Sequence, residues 1–89
     1  MKDQILRDLG EVRYHQATNM WSLIAVDGAV KTITQNRMRM RVQRLVKAAA
    51  ERAAAATYPE ARLSPAEAHK RAAALMNEIK ADQKARGRV

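Results

Sequence analysis

Residues 20–34, which read MWSLIAVDGAVKTIT, determine the fold class because the same letters fit a broken helix or a β-hairpin. In a helix, Met20 and Leu23 continue an apolar stripe that repeats at about 100° per residue. In a hairpin, Asp27-Gly28 is a strong two-residue turn signal between two β-prone runs. We predict an all-α fold, a small helical domain, and keep an α+β fold with a β-hairpin at 20–34 as the alternative.

The segment that begins near Thr34 is predicted to be a long amphipathic helix, with the Thr34 side chain as its N-cap. Basic side chains lie outside its apolar stripe, so the helix has one apolar face and one basic face. The apolar stripe consists of Met38, Val42, Leu45, Val46, Ala49, Ala53 and Ala56.

The N-terminal third is predicted to hold a first helix that starts near Asp3, because apolar residues recur there at helical spacing. Thr18 or Asn19 then caps a second short helix, which ends at Asp27-Gly28. The stripe of the first helix consists of Ile5, Leu6, Leu9 and Val12.

The C-terminal helix has the clearest start in the chain. Ser64 supplies an N-cap, Pro65 occupies the first helical position and Glu67 completes a capping box. Tyr58-Pro59 ends the preceding helix, because a residue before proline is pushed out of the helical region. The narrow seam of this last helix, Ala68, Ala72, Leu75, Met76 and Ile79, precedes a basic tail at 84–89 that is expected to fray.

Length and composition limit the classes of protein. The 89 residues are expected to form one domain, 1–89, and the absence of cysteine excludes disulfide scaffolds and thiol catalysis. No apolar run is long enough for a signal peptide or a membrane span, so a cytoplasmic location and no membrane partner are expected. Aromatic residues make up only 3%, so the core should be thin and a partner subunit would help it.

The positive charge points to a polyanionic partner. The formal net charge is +8, and residues 34–52 carry six basic side chains against Glu51 alone. A solvated helix face usually interleaves the two signs, whereas a concentrated basic segment is typical of a surface that binds phosphates.

Catalysis has few candidate residues. His15 and His69 have no second ligand at metal-binding spacing, and Ser64 is already explained as a helix cap. Glu78 and Asp82 lie one turn apart, but neighbouring lysines make a solvated face the better interpretation. We therefore expect no enzymatic activity, no cofactor and no metal site.

The segment from Ile33 to Leu45 resembles the recognition helix of Fis-type helix-turn-helix proteins, and the resemblance extends over residues 26–45. In that pattern an apolar residue in the turn precedes a small polar cap, and apolar positions then recur among Arg or Lys. The corresponding residues here are Ile33 in the turn, Thr34 as the cap, and Met38, Val42 and Leu45 facing the domain.

The resemblance implies that the helix from Thr34 enters the major groove of DNA. Thr34, Gln35, Arg37 and Met40 would then point into the groove, with Arg41 and Arg44 near phosphates. Arginine can bind guanine with two hydrogen bonds, glutamine and asparagine can read adenine, and flanking basic residues fix the register on phosphates. The predicted DNA-binding residues are Thr34, Gln35, Asn36, Arg37, Arg39, Met40, Arg41, Arg44 and Lys47.

The leading hypothesis is therefore a small DNA-binding protein that regulates transcription or organises phage, plasmid or chromosomal DNA. It would act as a homodimer through the alanine-rich seam at 66–83. Two alternatives remain open. One is a helical module, such as a phage-type inhibitor or adaptor, that binds an acidic protein. The other is RNA binding through the arginine-rich helix.

Overall fold

The computed structural model describes residues 2–56 and 63–87, with side chains at all of these positions except 54–56. The elements within these ranges are α1 (Lys2–Leu9), β1 (Glu11–His15), β2 (Met20–Ile24), β3 (Val30–Thr34), α2 (Gln35–Ala56) and α3 (Pro65–Ala85). The three strands form one antiparallel sheet in the order β1-β2-β3. The protein is therefore α+β, and the prediction of an all-α fold is wrong.

Residues 20–34 form the hairpin of β2 and β3, and no helix precedes α2 in this range. Gly28 adopts a φ of +90°, a left-handed conformation that glycine accepts without steric cost. The Asp27 side chain accepts a hydrogen bond from the Ala29 backbone N–H at 2.9 Å, which closes the turn. The first helix that a helix-turn-helix needs before α2 is therefore absent from the structure.

Trp21 explains why β2 is a strand. Tyr14, Trp21 and Ile33 are cross-strand neighbours on the sheet face that packs against the helices, and Trp21 is fully buried there. Alternation along a strand also brings Leu23 onto this face. A helix over the same residues would place Trp21 and Leu23 about 200° apart. Burial of the single tryptophan therefore favours the strand.

The predicted first helix is too long, because α1 ends at Leu9 and Val12 lies in β1. Gly10 has a φ of +77°, and its backbone N–H donates to the carbonyls of Leu6 and Arg7 at 3.2 Å. Gly10 thus ends the helix with a left-handed residue, as is common at helix C-termini. The predicted second helix is also wrong, since Thr18 and Asn19 lie in the β1–β2 turn.

The predicted starts of both long helices are confirmed. The Thr34 hydroxyl accepts a hydrogen bond from the Arg37 backbone N–H at 3.2 Å, and α2 begins at the next residue. The Ser64 hydroxyl accepts from the Glu67 backbone N–H at 3.1 Å, with proline at the first position of α3. Both caps are local features, so the sequence was sufficient to find them.

The apolar faces of α2 and α3 pack against each other, and α1 covers α2 from a second side. Most of the stripe predicted on α2 is buried, although Ala53 is exposed. This packing buries the α3 seam within the chain, so the surface that was predicted to pair with a second copy is already covered. The buried seam residues are Ala68, Ala72, Leu75 and Met76.

Gln83 closes one edge of the sheet. Its side-chain amide, which is buried, accepts a hydrogen bond from the Tyr14 backbone N–H at 2.8 Å and donates to the Val12 carbonyl at 3.0 Å. The amide of Gln83 thus imitates the peptide group of a fourth strand beside β1. Lys80, one turn earlier on α3, lies over the Tyr14 ring with its Nζ 4.4 Å from the ring centroid.

Some predictions fall outside the described residues. These are the end of the central helix at Tyr58-Pro59, the side chain of Ala56 and the last two positions of the basic tail. Of the described tail positions, Lys84 and Ala85 belong to α3, and Gly87 follows with a φ of +72°.

The contact between the sheet and α2 gives a first testable prediction. The Trp21 Nε1 donates to Gln35 Oε1 at 2.7 Å. Gln35→Ala should lower the free energy of unfolding by about 1–3 kcal/mol, because the buried indole N–H loses its acceptor. Denaturant titration followed by fluorescence of the single tryptophan measures the change. Gln35→Glu keeps an acceptor oxygen and should cost less, so equal losses in the two variants would contradict this role.

Candidate nucleic-acid interface

A basic groove lies between the N-terminal half of α2 and the inner face of the β2–β3 hairpin. Its volume is about 360 Å³. Four cationic side chains and three apolar ones line it, and no acidic side chain does. The lining residues of this basic groove are Lys31, Arg37, Arg41, Arg44, Leu23, Ile33 and Met40.

Helical spacing explains why the three arginines share the groove. Arg37, Arg41 and Arg44 follow one another by four and three residues, so their side chains lie along one side of α2. Met38 and Val42, which are fully buried, hold the opposite side of the helix against the core. Met40 lies beside the arginines and is 45% exposed. The outward surface of the N-terminal half of α2 is therefore basic around the exposed Met40 side chain.

The cations of the basic groove are unpaired within the described part of the chain. None of its three arginines, nor Lys31, forms an ion pair with a described carboxylate. The arginines that do pair with carboxylates lie elsewhere: Arg13 with Glu11, Arg52 with Asp8, Arg71 with Glu67 and Arg86 with Asp82. Four exposed or groove-lining cations without internal partners leave positive charge available to an external anion.

Only some of the nine predicted DNA-binding residues line the basic groove. Thr34 caps α2 and Gln35 bonds Trp21, so both side chains have structural partners. Asn36 accepts a hydrogen bond from Arg39, whose half-buried side chain lies on the side of α2 away from the basic groove. Lys47 is half-buried and does not line the groove. The structure brings together Arg37, Met40, Arg41 and Arg44.

Lys31 is the groove residue that the sequence analysis missed. It lies in β3 opposite Leu23, with its side chain on the same sheet face as Ile33. Had residues 20–34 been assigned to the hairpin, alternation along β3 would have placed Lys31 on the face next to α2. The signal was present in the sequence but depended on the choice of fold class.

No family model, curated protein or solved structure matches this chain.

Other kinds of site have little support among residues 2–56 and 63–87. No group of three metal-ligating side chains occurs there, and no helix described there is long and apolar enough to cross a membrane. The Nε2 of His15 lies 2.6 Å from the Ser22 hydroxyl on the outer face of the sheet. Glu78 pairs with Lys2 at 3.0 Å and Asp82 with Arg86 at 3.4 Å, so each of these two carboxylates has its own cation.

Proposed function

We propose that this protein binds double-stranded DNA through the basic groove and the adjoining outward face of α2. The observation that carries the proposal is the set of four cations, Lys31, Arg37, Arg41 and Arg44, that line one groove without an acidic side chain. Phosphates of a DNA backbone are spaced regularly and bind arginine and lysine along such a surface. A small regulator or organiser of DNA fits this activity.

The side chains divide between backbone and base contacts. Lys31 on β3 and Arg41 on α2 both line the groove, and the two cations suit a phosphate bound in it. Arg37 and Met40 lie nearer the outermost line of α2, which suits entry into the major groove. There Arg37 can donate two hydrogen bonds to guanine, and the Met40 side chain can contact a thymine methyl group. Arg44 completes the phosphate contacts at the far end of the groove.

Salt dependence tests the proposal. If Lys31, Arg41 and Arg44 contact phosphates, the logarithm of the association constant should fall against the logarithm of salt concentration with a slope of about −2.7. Affinity for a duplex should then drop about forty-fold between about 50 and 200 mM salt. Fluorescence anisotropy with a labelled duplex measures both quantities.

A matched comparison separates duplex DNA from the other polyanions. The same titration with double-stranded RNA should give weaker binding, because the major groove of A-form RNA is too narrow for a helix. Single-stranded RNA should also bind more weakly, because it has no major groove for α2 to enter. Absence of duplex binding at about 50 mM salt, where the electrostatic contribution is largest, would contradict the proposal. An acidic protein partner would then be the better interpretation of the groove.

A further inference from the structure

The two edges of the sheet differ in their hydrogen bonding. Gln83 occupies the outer edge of β1 through the Tyr14 N–H and the Val12 carbonyl. No comparable side chain occupies the outer edge of β3 in the described residues. Exposed strand edges are templates for pairing with another strand unless they are covered.

The register identifies which backbone groups of β3 are free. The backbone groups of Val12 and Tyr14 point outward to Gln83, so the backbone groups of their neighbours in β1 point toward β2. The same alternation continues from β2 to β3. The groups of β3 that face β2 are then those of Lys31 and Ile33. Two residues further along the hairpin, the Ala25 N–H donates a hydrogen bond to the Ala29 carbonyl at 2.8 Å. Backbone groups two residues apart in a strand point in the same direction, so this bond supports the assignment.

The outward-facing backbone groups of β3 are therefore those of Val30 and Thr32 together with the N–H of Thr34, because the Thr34 carbonyl accepts the first hydrogen bond of α2. All three residues are β-branched and exposed, which favours the extended conformation that strand pairing needs. The strand contains no proline and no bulge, two devices that proteins use to protect an edge. Val30 is 61% exposed at the end of this edge.

We infer that β3 pairs with β3 of a second copy, in antiparallel orientation around a two-fold axis at Thr32. Thr32 and the partner's Thr32 would exchange two backbone hydrogen bonds, and Val30 would lie opposite the partner's Thr34. This register pairs only outward-facing groups, and it places threonine beside threonine, a favourable cross-strand pair. The two sheets then form one continuous six-stranded sheet, closed at both ends by Gln83.

The same axis determines where the basic grooves lie. A two-fold axis perpendicular to the sheet keeps the inner faces of both copies on one side. Both α2 helices, which pack on that face, therefore flank the axis. Lys31 would lie opposite the apolar Ile33 of the partner rather than opposite a second lysine. Four cations from each copy would form one continuous basic surface around β3.

The positive charge of the two copies makes the stability of this dimer depend on salt and on a bound polyanion. The contact between two five-residue strands is smaller than the about 1,200–2,000 Å² of a standard stable interface, and eight cations repel one another around it. High salt screens that repulsion, and a bound polyanion neutralises it. The edge pairing is thus expected to be weak at low salt and strengthened by DNA. The strengthening by DNA rests on the proposed function, whereas the edge pairing does not.

A single cysteine tests the pairing directly, because the chain contains none. Residues in a hydrogen-bonded antiparallel pair have Cα atoms about 5.5 Å apart, within the range that a disulfide spans. Thr32→Cys should therefore form a covalent dimer under mild oxidation at about 1 M NaCl without DNA, where the Debye length is about 3 Å. Thr18→Cys, in the exposed β1–β2 turn, is the matched control and should react at least about ten-fold more slowly.

The outcomes separate the two proposals. Equal rates for Thr32→Cys and Thr18→Cys at high salt would overturn the edge pairing, whatever the protein does with DNA. Preferential cross-linking of Thr32→Cys at high salt, together with no binding to any duplex, would uphold the pairing and reject the proposed function. Where both hold, adding a duplex at about 100 mM salt should accelerate cross-linking of Thr32→Cys by about ten-fold or more.

Discussion

Replacing Arg37, Arg41 and Arg44 together with alanine should lower the affinity for duplex DNA by about a thousand-fold at about 100 mM salt. The three side chains are exposed and make no ion pair within the described residues, so their removal leaves the internal contacts intact. Alanine is also the best helix former. The far-UV circular dichroism spectrum and the unfolding midpoint should therefore stay close to those of the parent protein.

The slope of the salt titration gives a second measurement on the same variant. Loss of the Arg41 and Arg44 phosphate contacts should make the slope shallower by about 1.8. A variant that lost affinity by unfolding would bind little at any salt concentration, and its circular dichroism would change. The two measurements together distinguish a lost contact from a lost fold.

The chain offers a control with the same change in charge. Arg52, Arg71 and Arg86 are exposed, and each lies within 4.0 Å of a carboxylate on another surface. Surface ion pairs of this kind contribute about 0–1 kcal/mol each, so the triple alanine variant should fold. Its DNA affinity should fall by less than about ten-fold, because only long-range attraction is weakened. Equal losses in the two triple variants would show that net charge, not the basic groove, drives binding.

Features of the fold that depend on neighbouring residues could be predicted from the sequence. The caps at Thr34 and Ser64 each involve a bond to a backbone N–H three residues away. The apolar stripe on α2 and the seam on α3 follow from helical periodicity, and both are largely buried. Local hydrogen bonds and periodicity are sufficient for such elements.

The sheet could not be predicted in the same way, because its stability comes from distant contacts. Residues 20–24 carry apolar side chains at spacings that fit both a helix and a strand. Pairing with β1 and β3 on either side, and burial of Trp21 under α2, favour the strand. Tertiary context therefore overrides the helical pattern, as it commonly does for short apolar segments.

The candidate site could be predicted only in part, because some of its residues depend on contacts between distant parts of the chain. Arg37, Met40, Arg41 and Arg44 follow from the face of one helix. The structural roles of Gln35 and Thr34, and the contribution of Lys31, require the positions of β2 and β3. A helical wheel also could not show that the seam at 66–83 is covered by α2 of the same chain.

Gln83→Leu should lower the free energy of unfolding by about 3 kcal/mol, because it leaves two backbone groups of β1 without a partner. The Gln83 amide reaches back 69 and 71 residues to bond Tyr14 and Val12, and the residue is 5% exposed. Leucine has a similar volume, so the loss comes from the hydrogen bonds rather than from a cavity. For a domain with about 5–15 kcal/mol of total stability, such a loss is substantial.

Hydrogen exchange at the Tyr14 amide tests the cause of that loss. The amide should exchange much faster in Gln83→Leu than in the parent protein, at denaturant concentrations where both are folded. Gln83→Glu keeps an acceptor for the Tyr14 N–H but loses the donor to the Val12 carbonyl, so its stability should lie between the other two. Gln4→Leu, at an exposed position of α1, is the matched control and should change stability by less than about 0.5 kcal/mol. Unchanged protection of Tyr14 in Gln83→Leu would show that the β1 edge is held by something other than Gln83. If the assignment is right, Gln83→Leu also uncovers a second sheet edge, and the variant should self-associate in a way that the parent protein does not.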